Sequence, residues 1–418
     1  MRSFPAEQKW KHDEILCYLL FAAIALKYLL PPYLNGLIEQ ARLLDLLLTL
    51  FAMGLVVLFF LWKKCIPQPT VLMVVAVYLC LLVSTLKNSG DFLNALLHSV
   101  QVILLCMLID AVVRVPSAQK PFLRAVRDVT LVFYVVNFFL MYILPNGIPS
   151  ISAGKAFPCY LYGNYNSVIR YVLPGLCCSL MLDSMKAKRR TVPSVPTLIV
   201  AVGIVVSAVT VYFTATAVIT VLALILWALC GKRVQKHAWK LYGLALFLLA
   251  VVELVFVVGA KGGGVLTFVA NVFQKPIDFH GRVRLWARMM ESLGQKPWFG
   301  FGLEPYDTLQ TLLGNGYGAH NYALDLFRQR GAVGLAAVLV LLVVPVVRGW
   351  KQTVDRVLYI AIGACCAYTV LLLMEPCYDT EYLMIPLFYA LFAAGTRANG
   401  LSFDRPKGQG GQDASEAA

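Results

Sequence analysis

The chain has 418 residues, 60% of them hydrophobic and 14% charged, with a mean hydropathy of +0.73. Soluble globular chains carry roughly 25% charged residues, so composition alone excludes one of this length. The formal net charge is +14, and where those charges lie decides what they mean.

Apolar runs recur from one end to the other, each of about 17–25 residues, enough to cross ~30 Å of hydrocarbon as a helix. The short alternating segments of a membrane β-barrel are absent. The candidate spans are 14–31, 43–62, 70–86, 93–112, 128–144, 167–184, 196–212, 215–231, 241–258, 332–347, 357–373 and 382–396. Two of them meet at Thr214–Thr216 almost without a loop. The expected fold is an all-α integral membrane protein of about twelve transmembrane helices. Nine of those spans fall in 1–258 and three in 332–397. Between them 259–331 forms one large extracytoplasmic loop with short helices, and 398–418 is a polar, Gly-rich tail expected to be disordered in the cytoplasm.

With the N-terminus inside, the inner segments hold Lys9, Lys11, Lys63, Lys64, Arg114, Lys120, Arg124, Arg127, Lys186, Lys188, Arg189, Arg190, Lys232, Arg233, Arg348 and Lys351, among others. The short outer loops and their edges hold only Arg42, Lys87, Lys155 and Arg170. This asymmetry is the positive-inside rule and places both termini in the cytoplasm. The long outer segment is itself basic, but long loops translocate largely regardless of charge. The basic excess is therefore mainly topological, and no soluble basic domain is present to bind nucleic acid. No cleavable signal is expected, because no small-residue cleavage site follows the first apolar run. The eleven cysteines fall mostly inside spans and show no metal spacing. Cys159 and Cys377 both fall on the outer side, which leaves a disulfide between them open.

Within the long loop, 280–294 has helical periodicity, with Val283, Leu285, Trp286, Met289, Met290 and Leu293 on one face and Arg284, Arg288 and Glu291 opposite. Arg282 falls in the middle of the apolar face. A guanidinium there snorkels, pairs with an acid or meets an anion such as phosphate; the plain alternative is a surface helix lying on lipid headgroups. Arg284 and Arg288 read as a solvated face. LysProTrpPheGlyPheGly at 296–302 is a turn with aromatics suited to the membrane interface, and GlyAsnGlyTyrGly at 314–318 a flexible or close-approach loop.

The run 320–335 leads into the tenth span. His320, Leu324, Phe327 and Gly331 share one helical face, and Asn321, Asp325 and Arg328 another, with contacts available among them. A titratable imidazole thus sits at the outer boundary, on the same side as Arg282. Imidazole takes a proton from a hydroxyl at neutral pH, and arginine holds phosphate; a lone histidine at a helix start is also a common structural residue. Glu253, about five residues below the outer end of span nine, is a functional candidate as a membrane acid, or simply a partner for Lys27. Glu375, Asp379 and Glu381 on the last outer loop either bind sugar hydroxyls or form a solvated acidic turn.

The order GlyArg-x-x-x-Trp (281–286), LysProTrpPheGlyPheGly (296–302), HisAsn-x-x-Leu (320–324) and Gly-x-x-Gly-Leu (331–335) resembles the O-antigen ligase and O-antigen polymerase superfamily. GlyAsnTyrAsn at 163–166 also looks like a segment of those proteins. The resemblance implies a glycosyltransferase acting on an undecaprenyl-diphosphate-linked glycan at the outer face of a bacterial cytoplasmic membrane. It implies no cofactor and no metal. By carry-over Arg282 engages the diphosphate, His320 assists the acceptor hydroxyl or the phosphate, and Asn321 orients it. Family members often carry an arginine near the start of the eighth span, where this chain reads ThrAlaThrAla (214–217); Arg170 or Lys155 then has to supply that charge. With Arg284, Arg288, Trp286 and Glu253, these are the candidate substrate-binding residues.

The competing class is a transporter or flippase for a lipid-linked glycan or small solute. Transporters favour midplane charges, broken helices and internal repeats, whereas here the polar residues concentrate in an outer loop. The acceptor (a glycan, a lipid or a wall polymer) stays open, as does the choice of ligase or polymerase.

Overall fold

A computed structural model describes residues 6–39, 42–152, 157–186, 191–212, 214–259, 282–314, 318–375, 377 and 380–398. Among them the chain is a bundle of helices, and its strands are one short hairpin pairing Cys159–Tyr160 with Gly163–Asn164. Among the described residues seven helices are long and apolar enough to cross a membrane, beginning with Leu46–Lys63 and ending with Arg356–Leu373. Val71–Lys87, Val195–Thr210, Ala215–Cys230 and Ile385–Thr396 are apolar but shorter. The first helix, Ala6–Tyr28, packs along Pro116–Ile143.

The helix bounds follow the apolar runs closely. The largest departure is Pro116–Ile143, which starts well before the expected 128–144. Pro116 opens it in the first turn, where a missing N–H leaves no helical bond unmade, and the polar stretch behind it buries Phe122, Leu123 and Val126. The break foreseen at Thr214–Thr216 lies just ahead of it, between Thr210 and Ala215.

Two sets of cross-contacts define the ends of the bundle. At one end Gln68 Nε2 donates to Thr396 at 2.7 Å, Arg348 to Thr70 at 2.8 Å and Arg114 to Asp110 at 2.7 Å. At the other, here the loop end, Asp91 N donates to the Leu303 carbonyl at 3.1 Å and Tyr33 N to that of Leu161 at 3.0 Å. Val168–Lys186 runs through the middle, 94% of its length buried, and so carries Arg170 into the centre of the loop end.

The turn at 296–302 and the glycine at 331 form one joint. Inside the helix Tyr322–Gly349, Gly331 takes φ +64° and ψ −168°, which breaks the helical ladder. The turn satisfies the groups this frees. Phe301 N and Gly302 N donate to the carbonyls of Arg328 and Gln329 at 2.6 and 2.9 Å, while Ala332 N and Val333 N donate to those of Pro297 and Trp298 at 2.8 and 3.2 Å. A Cβ at Gly331 would lie 2.3 Å from the Trp298 carbonyl, so glycine is required by both conformation and space. The aromatics Trp298 and Phe299 remain exposed, as their interfacial reading expects.

Two open alternatives are decided against. The helix Arg282–Leu293 does not rest its apolar face on lipid. Trp286 and Met289 are buried in a small second core with Leu313, Ala319 and Leu324, packed against Tyr322–Gly349 and Ala238–Gly259. Nor is a disulfide formed: Cys159 and Cys377 are both thiols.

Candidate active site

His320 is not helical. It sits one residue before the cap of the helix Tyr322–Gly349, at φ +53°. A non-glycine residue held there costs ~1–3 kcal/mol, and such strain concentrates at functional sites. The neighbours on both sides hold it. Ala319 N donates to Asp325 Oδ1 at 2.7 Å, and the Ala319 carbonyl accepts from Trp286 Nε1 at 2.9 Å. On the other side, Asn321 Oδ1 caps the helix by accepting from Leu324 N at 2.9 Å, and Asn321 Nδ2 donates to Glu253 Oε2 at 2.6 Å. The side chains of Asn321, Asp325 and Arg328, read as one face from their spacing, each also bond to a different neighbour. Arg328 goes to Glu304, with bonds of 2.6 and 2.7 Å, and to Ser292.

Arg282 opens its helix and places its guanidinium 3.7 Å from Glu375. Of the three outcomes open to it, the described contact is with an acid. Arg170 lies at the start of the central helix, largely buried, 3.4 Å from the Ser167 hydroxyl and over the Tyr171 ring. Burial pushes the His320 imidazole down to about 4, helped by the positive fields of Arg282 and Arg170. Burial also raises the Glu375 carboxyl above its ordinary value, against the pull of the same two arginines. These four side chains thus form one electrostatic unit: two arginines and a buried acid around a neutral imidazole. His320 Nδ1 is buried with no hydrogen-bond partner among the described residues, an acceptor or donor position kept for something else.

The other sequence candidates separate. Glu253 is bound by Asn321, while Lys27, the partner weighed for it, lines a different cavity. Trp286 is fully buried, so it positions the His320 turn and has no surface to offer a ligand. Arg284 and Arg288 lie on the exposed face of their helix, as expected. Lys155 and Asp379 fall outside the described residues. Glu375 and Glu381 are buried, which overturns the solvated-turn reading for both.

Glu381 is the centre of a network that sequence inspection missed. It accepts from Tyr78 and Arg330 through Oε2 at 2.5 and 2.7 Å and from Tyr322 through Oε1 at 2.7 Å, with His98 Nε2 at 3.6 Å. Burial opposes the charge on Glu381, yet Arg330 and His98 hold its carboxyl down to about 2. The available signal was His98 and Gln101, polar residues inside a predicted span.

The O-antigen ligase family model matches residues 198–339. That stretch, about a third of the chain, is similar to the O-antigen ligase family. The match agrees with the resemblance read from the motifs, and it contains Glu253, Arg282, His320, Asn321 and the Gly331 joint. Arg170 and Glu375 lie outside the matched residues and reach that stretch through the fold. No curated protein and no solved structure matches the chain. Together with this similarity, the long apolar helices make this a multi-pass membrane protein. The similarity supports glycosyl transfer of the ligase type in general, and the matched family implies a lipid-linked glycan donor and a polysaccharide acceptor.

Proposed function

We propose that the protein transfers or polymerises an undecaprenyl-diphosphate-linked oligosaccharide in surface polysaccharide biosynthesis, at the outer face of a bacterial cytoplasmic membrane. In this reading both termini are cytoplasmic and the loop end faces outward. The convergence of Arg170 and Arg282 on a neutral, buried His320 carries the reading.

The acceptor hydroxyl oxygen attacks the anomeric carbon of the donor sugar. The bond from that carbon to the phosphate oxygen breaks, and undecaprenyl diphosphate leaves with the electron pair. The hydroxyl proton passes to the His320 imidazole. Arg170 and Arg282 hold the diphosphate and stabilise the charge it gains, with Arg170 supplying the positive charge absent from 214–217. Thr214 and Ala217 line one small cavity with Val168 and Ile169, at the start of the helix that bears Arg170, so the substitution of one position for the other is spatially short. The donor also alters the base. An anion on the two arginines offsets the field that depresses His320, so the imidazole gains basicity when substrate is in place. Glu375 holds Arg282 until the diphosphate replaces it, and Asn321, Glu253 and Trp286 fix the turn that presents the ring. The exposed Arg284 and Arg288 attract the anionic donor.

The test is turnover by the purified protein in detergent, given undecaprenyl-diphosphate oligosaccharide and candidate acceptors, beside Arg170→Ala, Arg282→Ala and His320→Ala. Free undecaprenyl diphosphate together with a longer or transferred glycan is expected only from the unaltered protein. Each variant should lose about 100-fold or more in kcat, the scale of a lost charge-stabilising donor or general base. If the donor stays intact with every acceptor while the protein in vesicles moves it across the bilayer, the transferase reading fails and transport replaces it.

A further inference from the structure

Beside the active site the loop end contains a second cavity, of about 370 Å³, whose walls include Lys27, Asn35, His98, Gln101, Tyr171 and Tyr382. No sequence motif pointed to it, and its walls at 27–35, 98–101 and 171 come from outside the O-antigen ligase match. Its volume lies at the lower end of small-molecule pockets, roughly 300–1,000 Å³. The lining is unusual for the interior of an apolar bundle. It combines tyrosine rings with two side-chain amides, an ammonium and an imidazole, and no carboxylate lines it among the described residues. Polar groups inside a membrane bundle are costly and default to function.

The walls are fixed. Tyr28 donates to the Gln101 carbonyl at 3.0 Å, and its ring packs on Tyr382 at 6.1 Å. His98 is held beside Glu381, between the lining residues Thr380 and Tyr382. The cavity also adjoins the candidate active site through two backbone links. Tyr171 follows Arg170, whose guanidinium lies 5.6 Å from the Tyr171 ring centroid. The 380–382 wall begins five residues after Glu375 in sequence.

Tyrosine rings offer flat faces to the C–H surface of a pyranose, and amides both donate to and accept from its hydroxyls. We propose that this cavity is a saccharide subsite that holds one end of a glycan next to the diphosphate seat. The inference rests on the transferase reading for its neighbour, but it is separable by experiment. The saccharide belongs either to the donor, beyond its diphosphate, or to the acceptor.

The test uses Asn35→Leu and Gln101→Leu, which remove polar groups at nearly constant volume, in the full chain in detergent. Two probes are compared by saturation-transfer NMR and by competition. One is the water-soluble glycan released by mild acid from the host's lipid-linked oligosaccharide; the other is undecaprenyl diphosphate without sugar. Both variants should weaken the glycan about tenfold, the worth of one good polar contact, and leave undecaprenyl diphosphate within twofold, which also reports a folded protein. Arg282→Ala should do the reverse. Loss of undecaprenyl diphosphate binding in the cavity variants, or glycan binding unchanged in both, overturns the subsite. If Arg282→Ala leaves undecaprenyl diphosphate unaffected while the cavity variants lose the glycan, the diphosphate seat fails and the subsite stands. In turnover, a rise confined to the donor KM assigns the saccharide to the donor, and one confined to the acceptor KM assigns it to the acceptor.

Discussion

The side chain of Asn321 joins two helices: its carbonyl oxygen caps the helix that begins at Tyr322, and its amide donates to Glu253 within the helix Ala238–Gly259 at 2.6 Å. One amide thereby fixes both the start of one helix and the distance to its neighbour, with His320 on the adjoining residue. A carboxylate at 321 caps a helix as well as an amide does but has nothing to donate to Glu253.

Asn321→Asp should therefore keep the cap and lose the bridge, lowering stability by ~1–3 kcal/mol, the cost of a buried acceptor left unmet. Glu253→Gln in the same chain restores a donor facing an acceptor, with the roles exchanged. The apparent Tm of the double variant in detergent should return most of the way to that of the unaltered protein. Additive losses would mean that the two side chains are not coupled.

The pH dependence of turnover tests the role of His320. A general base works unprotonated, so activity falls as pH drops through its pKa. In the free enzyme that pKa is pushed to about 4 by burial and by Arg282 and Arg170. Bound diphosphate cancels the arginine fields and shifts it upward. The acid limb of kcat/KM, which reports the free enzyme, should thus lie at lower pH than the acid limb of kcat, which reports the complex. Coincident limbs in the unaltered protein would remove His320 as the group that responds to the bound anion.

Much of the helix framework was legible because apolar length and breaks dictate it, and Arg282 and His320 stood out as residues that did not fit their surroundings. Their partners did not stand out. Glu375 and Glu381 resemble a solvated acidic turn in sequence, because nothing local shows that each will be buried against an arginine. Tyr78 meets Glu381 across 303 residues, a distance no periodicity encodes. The spacing of Asn321, Asp325 and Arg328 places them on one face but does not show that the first caps the helix and that each side chain bonds elsewhere. The 296–302 turn was legible as a turn but not as a splint, since its bonds are made by backbone groups to a break elsewhere.

Gly331 offers a sharp mechanical test of that splint. Gly331→Ala places a methyl 2.3 Å from the Trp298 carbonyl and a side chain at positive φ, so either the turn at 296–302 or the helix must move. A loss of ~3 kcal/mol or more is expected from combined strain and overpacking, with turnover falling because the same helix carries the His320 cap. Gly36→Ala is the control: no atom lies within 4 Å of the added carbon, and alanine in the short helix Pro32–Glu39 should be neutral or stabilising by up to ~1 kcal/mol. Equal thermal stability of the two variants would show that the joint bears no strain.

Glu381 is the counter-ion of a fully buried arginine. Glu381→Gln leaves Arg330 charged with its acid gone, and removing one partner of a buried pair typically costs ~3–5 kcal/mol. Glu381→Gln with Arg330→Met removes both charges and should recover most of that loss, since apolar replacement of a whole buried pair is often neutral. The direction with pH follows from the carboxyl, held at about 2 against an ordinary value of 4.5. The unfolded chain takes up the proton first as pH falls, so the contribution of Glu381 is complete above about 4.5 and is lost progressively as pH drops toward 2. The gap in apparent Tm between the unaltered protein and Glu381→Gln should accordingly stay constant from pH 7 to pH 5 and narrow below it. A gap that widens on acidification would show that the carboxyl is protonated in the folded protein, and that Arg330 is held by its tyrosine neighbours instead.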